Sequence, residues 1–388
     1  MSETVRAAII GIGNMGTNHA NNLIKGEVPG MELVCVCDTD PARLEWAKEK
    51  LGEGVATYQS SDEMFAAADT FDALIVAVPH YDHPSLAIRA FQLGKHVLVE
   101  KPAGVYTKNV REMNAAAEKA GTVFSMMFQQ RTNPVYAKVR EMIQGGELGK
   151  LNRMVWIVTN WYRAQAYHDS SAWRSTWEGE GGGVLINQAP HNIDLWQWMC
   201  GMPTRVRAFA DFGKHYNIEV DDDVTAYAEY ECGMTATFIT CTAESPGTNR
   251  LEISGTKGKI VVEGNRIAFW RNEVDEREFN ANFKGVFGNP KVERVEVTVE
   301  GESTNHMGIT RNFTNAILGN EELIAPGPDG INELMLSNAI HLSAWTDGWV
   351  NLPIDEDLYY NTLQEKIKGS TFKKTVSGAG VADVSGTH

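Results

Sequence analysis

Cysteine is scarce in this chain, with five residues (Cys35, Cys37, Cys200, Cys232 and Cys241) among 388. An odd number without framework spacing excludes a disulfide-stapled scaffold and points to reduced thiols in the cytoplasm. Cys35 and Cys37 alternate along a strand and read as small core residues, because zinc would need further ligands close by. Long apolar runs are missing too. No stretch approaches the roughly 20 apolar residues of a membrane span. The first residues, Met1-Ser2-Glu3-Thr4, carry neither a basic leader nor a cleavage site. Positive charge is in deficit: a net charge of −15 argues against nucleic acid and anionic membrane as partners, since both recruit basic patches. The remainder, 43% hydrophobic, is the composition of a soluble globular protein, too long for one ordinary core and therefore expected to form two domains.

Within the first 128 residues strands and helices alternate. Val5–Ile10, Leu33–Cys37, Ala73–Val78, His96–Val99 and Val123–Phe128 read as strands, with helices between them. The run Ala73–Val78 is continuously apolar, as in strands buried on both faces. This is the rhythm of a doubly wound parallel sheet, so an α/β class with a dinucleotide-binding (Rossmann) domain at 1–128 is predicted. Beyond it, alternating strands such as Arg153–Thr159, Val224–Glu231 and Thr235–Cys241 lack intervening helices. They predict a second domain at 129–372 with a large, mostly antiparallel open sheet that leaves one face exposed or dimer-forming. The tail 373–388, rich in Ser, Gly, Ala and Val, is expected to be disordered. Asp221-Asp222-Asp223 reads as a solvated turn.

The fingerprint Gly11-Ile12-Gly13-Asn14-Met15-Gly16 follows an apolar strand and opens a helix, the context in which a glycine-rich turn binds a dinucleotide. Gly11 permits the turn, Gly13 lets the backbone approach a pyrophosphate, and Gly16 lets helix and strand pack closely. The pyrophosphate would sit on the helix N-terminus, where N–H groups and the dipole favour anions. Asp38 ends the second strand, where an acid accepts hydrogen bonds from ribose hydroxyls and repels a 2′-phosphate. NAD is therefore favoured over NADP, with Arg43 nearby as the one basic counterweight. Pro79, His83, Glu100 and Gln129 lie at other strand ends and complete the expected cofactor surface, together with Asn14 and Met15. His80 and His83 are three apart but lack further ligands, so no metal is assigned.

Lys101 leaves the strand before Pro102 at the carboxyl edge of the sheet, where ligands of such sheets bind. The segment Gly181-Gly182-Gly183-Val184-Leu185-Ile186-Asn187-Gln188-Ala189-Pro190-His191-Asn192-Ile193-Asp194 supplies possible companions. Asn187 and His191, four apart, share a helical face if the helix begins by Asn187. Histidine has the right ordinary pKa to take a proton near neutrality, and Asp194 is placed to orient its ring. Trp161, Tyr162, Arg163 and Trp173 precede the glycines in a loop-like stretch, and aromatic faces with orienting polar groups suit a sugar ring. Arg131 leaves the last Rossmann strand and is a further candidate for substrate contact.

The fingerprint, Glu100-Lys101-Pro102 and the Gly-Gly-Gly…His191-x-x-Asp194 segment together resemble the glucose–fructose oxidoreductase/inositol dehydrogenase family (Gfo/Idh/MocA), in the right order, to about Leu352. The resemblance implies NAD(P)-dependent transfer of hydride to or from a hydroxyl of a sugar, glycoside or cyclitol, with a ring hydroxyl such as that at C3 favoured. It implies a homodimer or homotetramer built through the C-terminal sheet. It also implies that Lys101 binds the reacting oxygen and His191 acts as general base. Many members carry an aspartate four residues before that histidine, where this chain has Asn187. An amide cannot share a proton with His191, although it can hydrogen-bond a substrate hydroxyl. An inositol dehydrogenase is the near alternative. A non-catalytic NAD-binding regulator and an NAD-assisted glycoside hydrolase are the rivals of other classes, and retention of both Lys101 and His191 speaks against the regulator.

Overall fold

A computed structural model describes residues 4–377. Six strands, β1 (Val5–Ile10), β2 (Met31–Cys37), β3 (Ala56–Tyr58), β4 (Ala73–Val76), β5 (His96–Val99) and β6 (Phe124–Met126), form a parallel sheet ordered β3-β2-β1-β4-β5-β6. β1 and β4 are apolar almost throughout because helices cover both faces. The order reverses between β1 and β4, and a ligand crevice opens at that switch point, beyond the strand ends.

The second sheet has nine strands: β7 (Leu151–Val158), β8 (Arg205–Phe212), β9 (Asp221–Glu229), β10 (Thr235–Cys241), β11 (Asn249–Gly255), β12 (Gly258–Glu263), β13 (Arg266–Asn272), β14 (Val292–Glu296) and β15 (Val350–Asn351). Their order is β14-β13-β12-β11-β7-β10-β9-β8-β15, antiparallel except for the β7–β10 pair. Alternation along β9 and β10 turns Val224, Ala226, Ala228, Ala236 and Phe238 into the core, where helices Pro190–Cys200 and Gly330–Thr346 cover them. The other face carries exposed Phe209 and Tyr227, beside Trp349.

The two sheets are not separate bodies joined by a thread. Ile309 and Phe313 of helix Asn305–Ile317, with Leu334 of Gly330–Thr346, are buried in the core of the parallel sheet. Met126 N donates to Ala325 O at 3.0 Å. Truncating fully buried Phe313 would cost about 3–5 kcal/mol.

β8, β13 and helix Glu356–Gly369 escape the sequence pattern. Inward-facing β8 residues are the small Val206, Ala208 and Ala210, and the helix buries only Tyr359 and Leu363, so the apolar periodicity is faint. The triplet Asp221–Asp223 is not a solvated turn. It begins β9, with Asp221 and Asp222 buried. Residues 373–377 of the expected tail lie against the second domain, where Ser377 N donates to Asp169 O at 2.9 Å and Lys374 Nζ donates to His168 O. Residues 378–388 fall outside the described residues. No helix among the described residues is long and apolar enough to cross a membrane.

Candidate active site

The glycine turn is shaped by contacts that only glycine allows. Gly11 has φ +85°, and a Cβ there would lie 2.5 Å from Ala77 O; one on Gly16 would lie 1.8 Å from Gly11 O. These two glycines lock β1 to the following helix, Asn14–Ile24. A Cβ on Gly13 would meet nothing within 4 Å, so that side of the turn is open. Gly13 caps the helix without a side chain, and the first helical turn holds no acid. An open backbone at a helix N-terminus fits the pyrophosphate of a dinucleotide. Asp38 is tied to the turn: its Oδ2 accepts from Ile12 N at 2.8 Å and its Oδ1 from Asp40 N at 2.9 Å. Each oxygen keeps a lone pair for a ribose hydroxyl. Arg43 turns inward, with Nε donating to Ile12 O at 2.8 Å and Nη2 to Thr17 Oγ1 at 2.6 Å, over the Trp46 ring. The guanidinium braces the turn, which leaves the Asp38 carboxylate as the charged group that could meet a ribose.

At the end of β5 the chain enters a cis Lys101–Pro102 peptide. Lys101 Nζ reaches across to the second domain and donates to Asn187 O at 2.7 Å, with Asn187 Oδ1 at 3.4 Å. Burial lowers the Lys101 pKa, and Arg174 lowers it further, while Glu100, Glu180 and Glu333 oppose them. His191 is buried, and its Nε2 lies 3.1 Å from Gln129 Nε2. Burial, then Lys101 and His306, hold the His191 pKa well below its ordinary value, so the ring is neutral. His191 Nδ1 and Gln129 Oε1 have no protein partner. With the amide as drawn, Nε2 accepts and the ring proton lies on Nδ1. With the amide turned by half, Oε1 accepts from Nε2–H and the lone pair lies on Nδ1. Either way one ring nitrogen is held and the other is unclaimed.

The second-domain half rests on the three glycines. A Cβ on Gly183 would lie 2.0 Å from Asp221 O. Asp221 Oδ1 and Oδ2 accept from Gly183 N at 2.7 Å and Leu185 N at 2.8 Å, and His341 Nε2 lies 2.8 Å from Oδ1. Burial alone would raise the Asp221 pKa, but the His341 pairing and these backbone bonds bring it below the ordinary value. Asn187 and His191 do not share one helix. Asn187 closes the short helix Val184–Asn187, and Pro190, which has no N–H to give, opens Pro190–Cys200 with His191 in its first turn.

Several residues expected at the ligand are spent inside the protein. His83 is buried with Nδ1 at 2.7 Å from Pro102 O and Nε2 at 2.8 Å from Val78 O, so it clamps two strand ends and does not face a cofactor. Glu100 is buried, with Oε1 2.8 Å from His19 Nε2, and accepts from Lys101 N. Burial would raise its pKa, but His19, His306 and Lys101 bring it to about 2. Arg131 is no substrate ligand: Nε and Nη2 grip Asp194 at 2.8 and 2.6 Å, and Nη1 takes Asp329 at 2.7 Å. For the same reason Asp194 does not orient His191. Pro79 is half-buried at the crevice edge. Trp161 Nε1 donates to Asn192 Oδ1 at 3.2 Å, Tyr162 is exposed, Arg163 lies over Trp161 and Tyr167, and Trp173 stands edge-on to His80. Two residues with evident work here were not read as part of the site from sequence, Asp221 and Glu180. Asp221 sits in a triplet whose polarity mimics a turn, and Glu180 follows another acid and a glycine, which looks like solvated loop.

Residues 5–128 match the oxidoreductase family with NAD-binding Rossmann fold (GFO/IDH/MocA), and residues 136–261 match the C-terminal domain of the same family. Over 273 residues the chain is 29% identical to scyllo-inositol 2-dehydrogenase (NAD(+)) of Bacillus subtilis, covering 68% of this chain and 75% of that enzyme. It is 24% identical over 318 residues to levoglucosan dehydrogenase of Pseudarthrobacter phenanthrenivorans, covering 72% and 79%. The crystal structure of the WlbA dehydrogenase from Bordetella pertussis, in complex with NADH and UDP-GlcNAcA, superposes with a TM-score of 0.76 at 28% identity, covering 91% of this chain and 100% of that one.

Proposed function

The chain belongs to the Gfo/Idh/MocA family of NAD-binding oxidoreductases, and on that footing we propose that it is an NAD-dependent dehydrogenase of a ring secondary hydroxyl in a sugar, glycoside or cyclitol. The observation that carries this reading is the meeting of Lys101 with Asn187, beside the buried, neutral His191 and the open turn at Gly13. NAD fits the cradle of Gly11, Gly13, Gly16 and Asp38 and, when bound, supplies the two-electron acceptor. Relatives that act on inositols and levoglucosan, and the NADH-bound WlbA neighbour, support the cofactor and the substrate class.

The residues would act as follows. The Lys101 ammonium donates to the substrate oxygen and stabilises negative charge as it develops there. His191, with Gln129 accepting from Nε2–H, takes the hydroxyl proton on Nδ1. The Asn187 amide holds a neighbouring hydroxyl, and Trp161 and Trp173 offer faces to the ring. In the reverse reduction His191 returns the proton. Membership in an oxidoreductase family and this pairing favour an enzyme over a regulator. The exposed face of the nine-stranded sheet, with Phe209, Tyr227 and Trp349, supports a homo-oligomer through that face, which light scattering in solution would measure.

The test is a panel of pyranoses, glycosides and inositols incubated with NAD, following NADH by absorbance and the carbonyl product by mass. Formation of one NADH per ketone supports the reading. Release of an aglycone without net NADH would point to an NAD-assisted hydrolase, and inertness across the panel with intact NAD binding would point to a regulator.

A further inference from the structure

Position 187 lacks an acid, yet a carboxylate stands directly behind it. Glu180 is 1% exposed and lies in the loop just ahead of the three glycines. Its Oε2 accepts from Ser175 N at 2.6 Å, and its Oε1 accepts from Asn187 Nδ2. Asn187 Nδ2 also donates to Tyr167 Oη at 3.2 Å. Both amide hydrogens are therefore placed on the side away from Lys101, and Oδ1 faces the ammonium at 3.4 Å. An asparagine amide can turn by half at little cost unless its neighbours accept only. Here a turn would set its carbonyl oxygen against the Glu180 carboxyl and its NH2 against the Lys101 ammonium. Arg174 backs the assembly, with Nη1 3.6 Å from Glu180 Oε1 and 2.6 Å from Tyr167 Oη.

Resting on the reading of Lys101 given above, we infer that Glu180 is a positioning residue. From the loop before the glycines it supplies the carboxylate that position 187 lacks, and it pins the Asn187 amide with Oδ1 toward Lys101. The main-chain bond from Lys101 Nζ to Asn187 O at 2.7 Å holds the ammonium, and the Arg174–Glu180–Asn187–Lys101 chain sets its second contact, to Oδ1, and feeds negative charge toward it through one amide. Other groups facing Lys101 are Glu100 at its own strand end, Glu333 from helix Gly330–Thr346, and His80 and His191. Burial raises the Glu180 pKa, while Arg174, the bonds from Ser175 N and Asn187 and the Lys101 ammonium oppose it and favour the carboxylate, and Lys374 faces it as well.

Glu180→Gln is the selective test. Its carbonyl oxygen can still accept from Ser175 N, while its NH2 meets the Asn187 NH2, donor against donor. The probe is the Lys101 ε-methylene in protein labelled with ¹³C-lysine, assigned by its loss in Lys101→Met and titrated by NMR without substrate. Lys101 is expected to titrate at lower pH in E180Q, and to return upward in E180Q/N187D, where the introduced acid accepts from Lys101 directly. On a substrate turned over in the panel, kcat of E180Q is expected to fall roughly ten- to hundredfold with KM nearly unchanged, and E180Q/N187D is expected to recover most of it. A thermal melt within a few degrees of wild type would show that E180Q folds. An unshifted Lys101 titration with unchanged kcat overturns the inference. So does a loss of kcat that E180Q/N187D does not recover in a folded protein. If Lys101→Met itself keeps full turnover, the reading of Lys101 fails, whatever Glu180 does.

Discussion

Among the described residues, the glycine-rich turns at 11–16 and 181–183 each lead into a helix, and they are built for opposite ends. At Gly11-Ile12-Gly13-Asn14-Met15-Gly16 the outer glycines are wedged against β1 and Ala77, while Gly13 faces open space at an uncapped helix start. At Gly181-Gly182-Gly183 every Cβ would strike protein: Val105, Ile186 with His341, and the Asp221 carbonyl. There the carboxylate of Asp221 fills the anion position, taking the N–H groups of Gly183 and Leu185. The first turn gives the N–H groups of Gly11 and Ile12 to Cys37 O and Asp38 but keeps open space at Gly13, whereas the second is closed by protein at all three glycines. Glycine richness alone therefore does not mark a ligand site; what matters is whether the space beside the turn is left open. In the proposed chemistry the second turn acts indirectly, by setting Asn187 against Lys101 and leading into the helix that carries His191.

Lys101→Ala tests the largest consequence, because Lys101 is the link between the two sides. Turnover should fall by at least about a hundred- to thousandfold, while NADH affinity, measured by fluorescence titration, stays close to wild type. Loss of NADH binding would mean that the open turn depends on the closed one. Asp221→Ala should destabilise the fold by about 3–5 kcal/mol, since it removes the carboxylate bonded to His341 Nε2 and leaves two buried backbone N–H groups unpaired. Denaturant unfolding reads this directly, and a normal midpoint would contradict the self-filled turn. The paired substitutions Gly183→Ala and Gly13→Ala sharpen the contrast further. The first should cost about 1–3 kcal/mol by overpacking and lower the melting temperature. The second should leave the melting temperature of the ligand-free protein alone and weaken NADH binding roughly tenfold or more. Exchanged outcomes would reverse the assignment of the two turns. The smallest effect is on pH dependence. His191 is held below its ordinary pKa by burial and by Lys101, so if it is the base it stays neutral at pH values where an exposed histidine of about 6.5 would already be charged. The acid limb of kcat against pH should lie below that value. The alkaline limb should lie below an ordinary lysine, because burial also lowers Lys101.

Much of this site was legible in the chain. The glycine fingerprint is local, since the turn, the strand before it and the helix after it are contiguous, and Asp38 sits one strand away at a fixed distance. Lys101 and His191 could be chosen because each lies at a strand end or helix start. Asn187 and Gln129, which meet them, were within reach too, but the partners of other polar residues at the ligand edge were not. Arg131 looked free, yet Asp194, 63 positions on, takes its guanidinium. His83 looked like a cofactor contact, yet two strand-end carbonyls claim its ring. In both cases a polar residue at a ligand edge was also the nearest group able to satisfy a buried partner, and satisfaction of buried groups is decided in three dimensions.

By itself the sequence determined the two-sheet α/β architecture, the dinucleotide turn and the family, because these follow from periodicity and from motifs whose parts are neighbours along the chain. Only the tertiary structure decided which polar side chains face the cleft and which are consumed. Asp221, read as solvent-facing, is a buried strut, and Glu180, which looked like loop, stands behind Asn187. The physical reason is that a carboxylate's role is set by the donors brought to it, and here those donors come from glycine, serine and asparagine residues that the fold gathers around it.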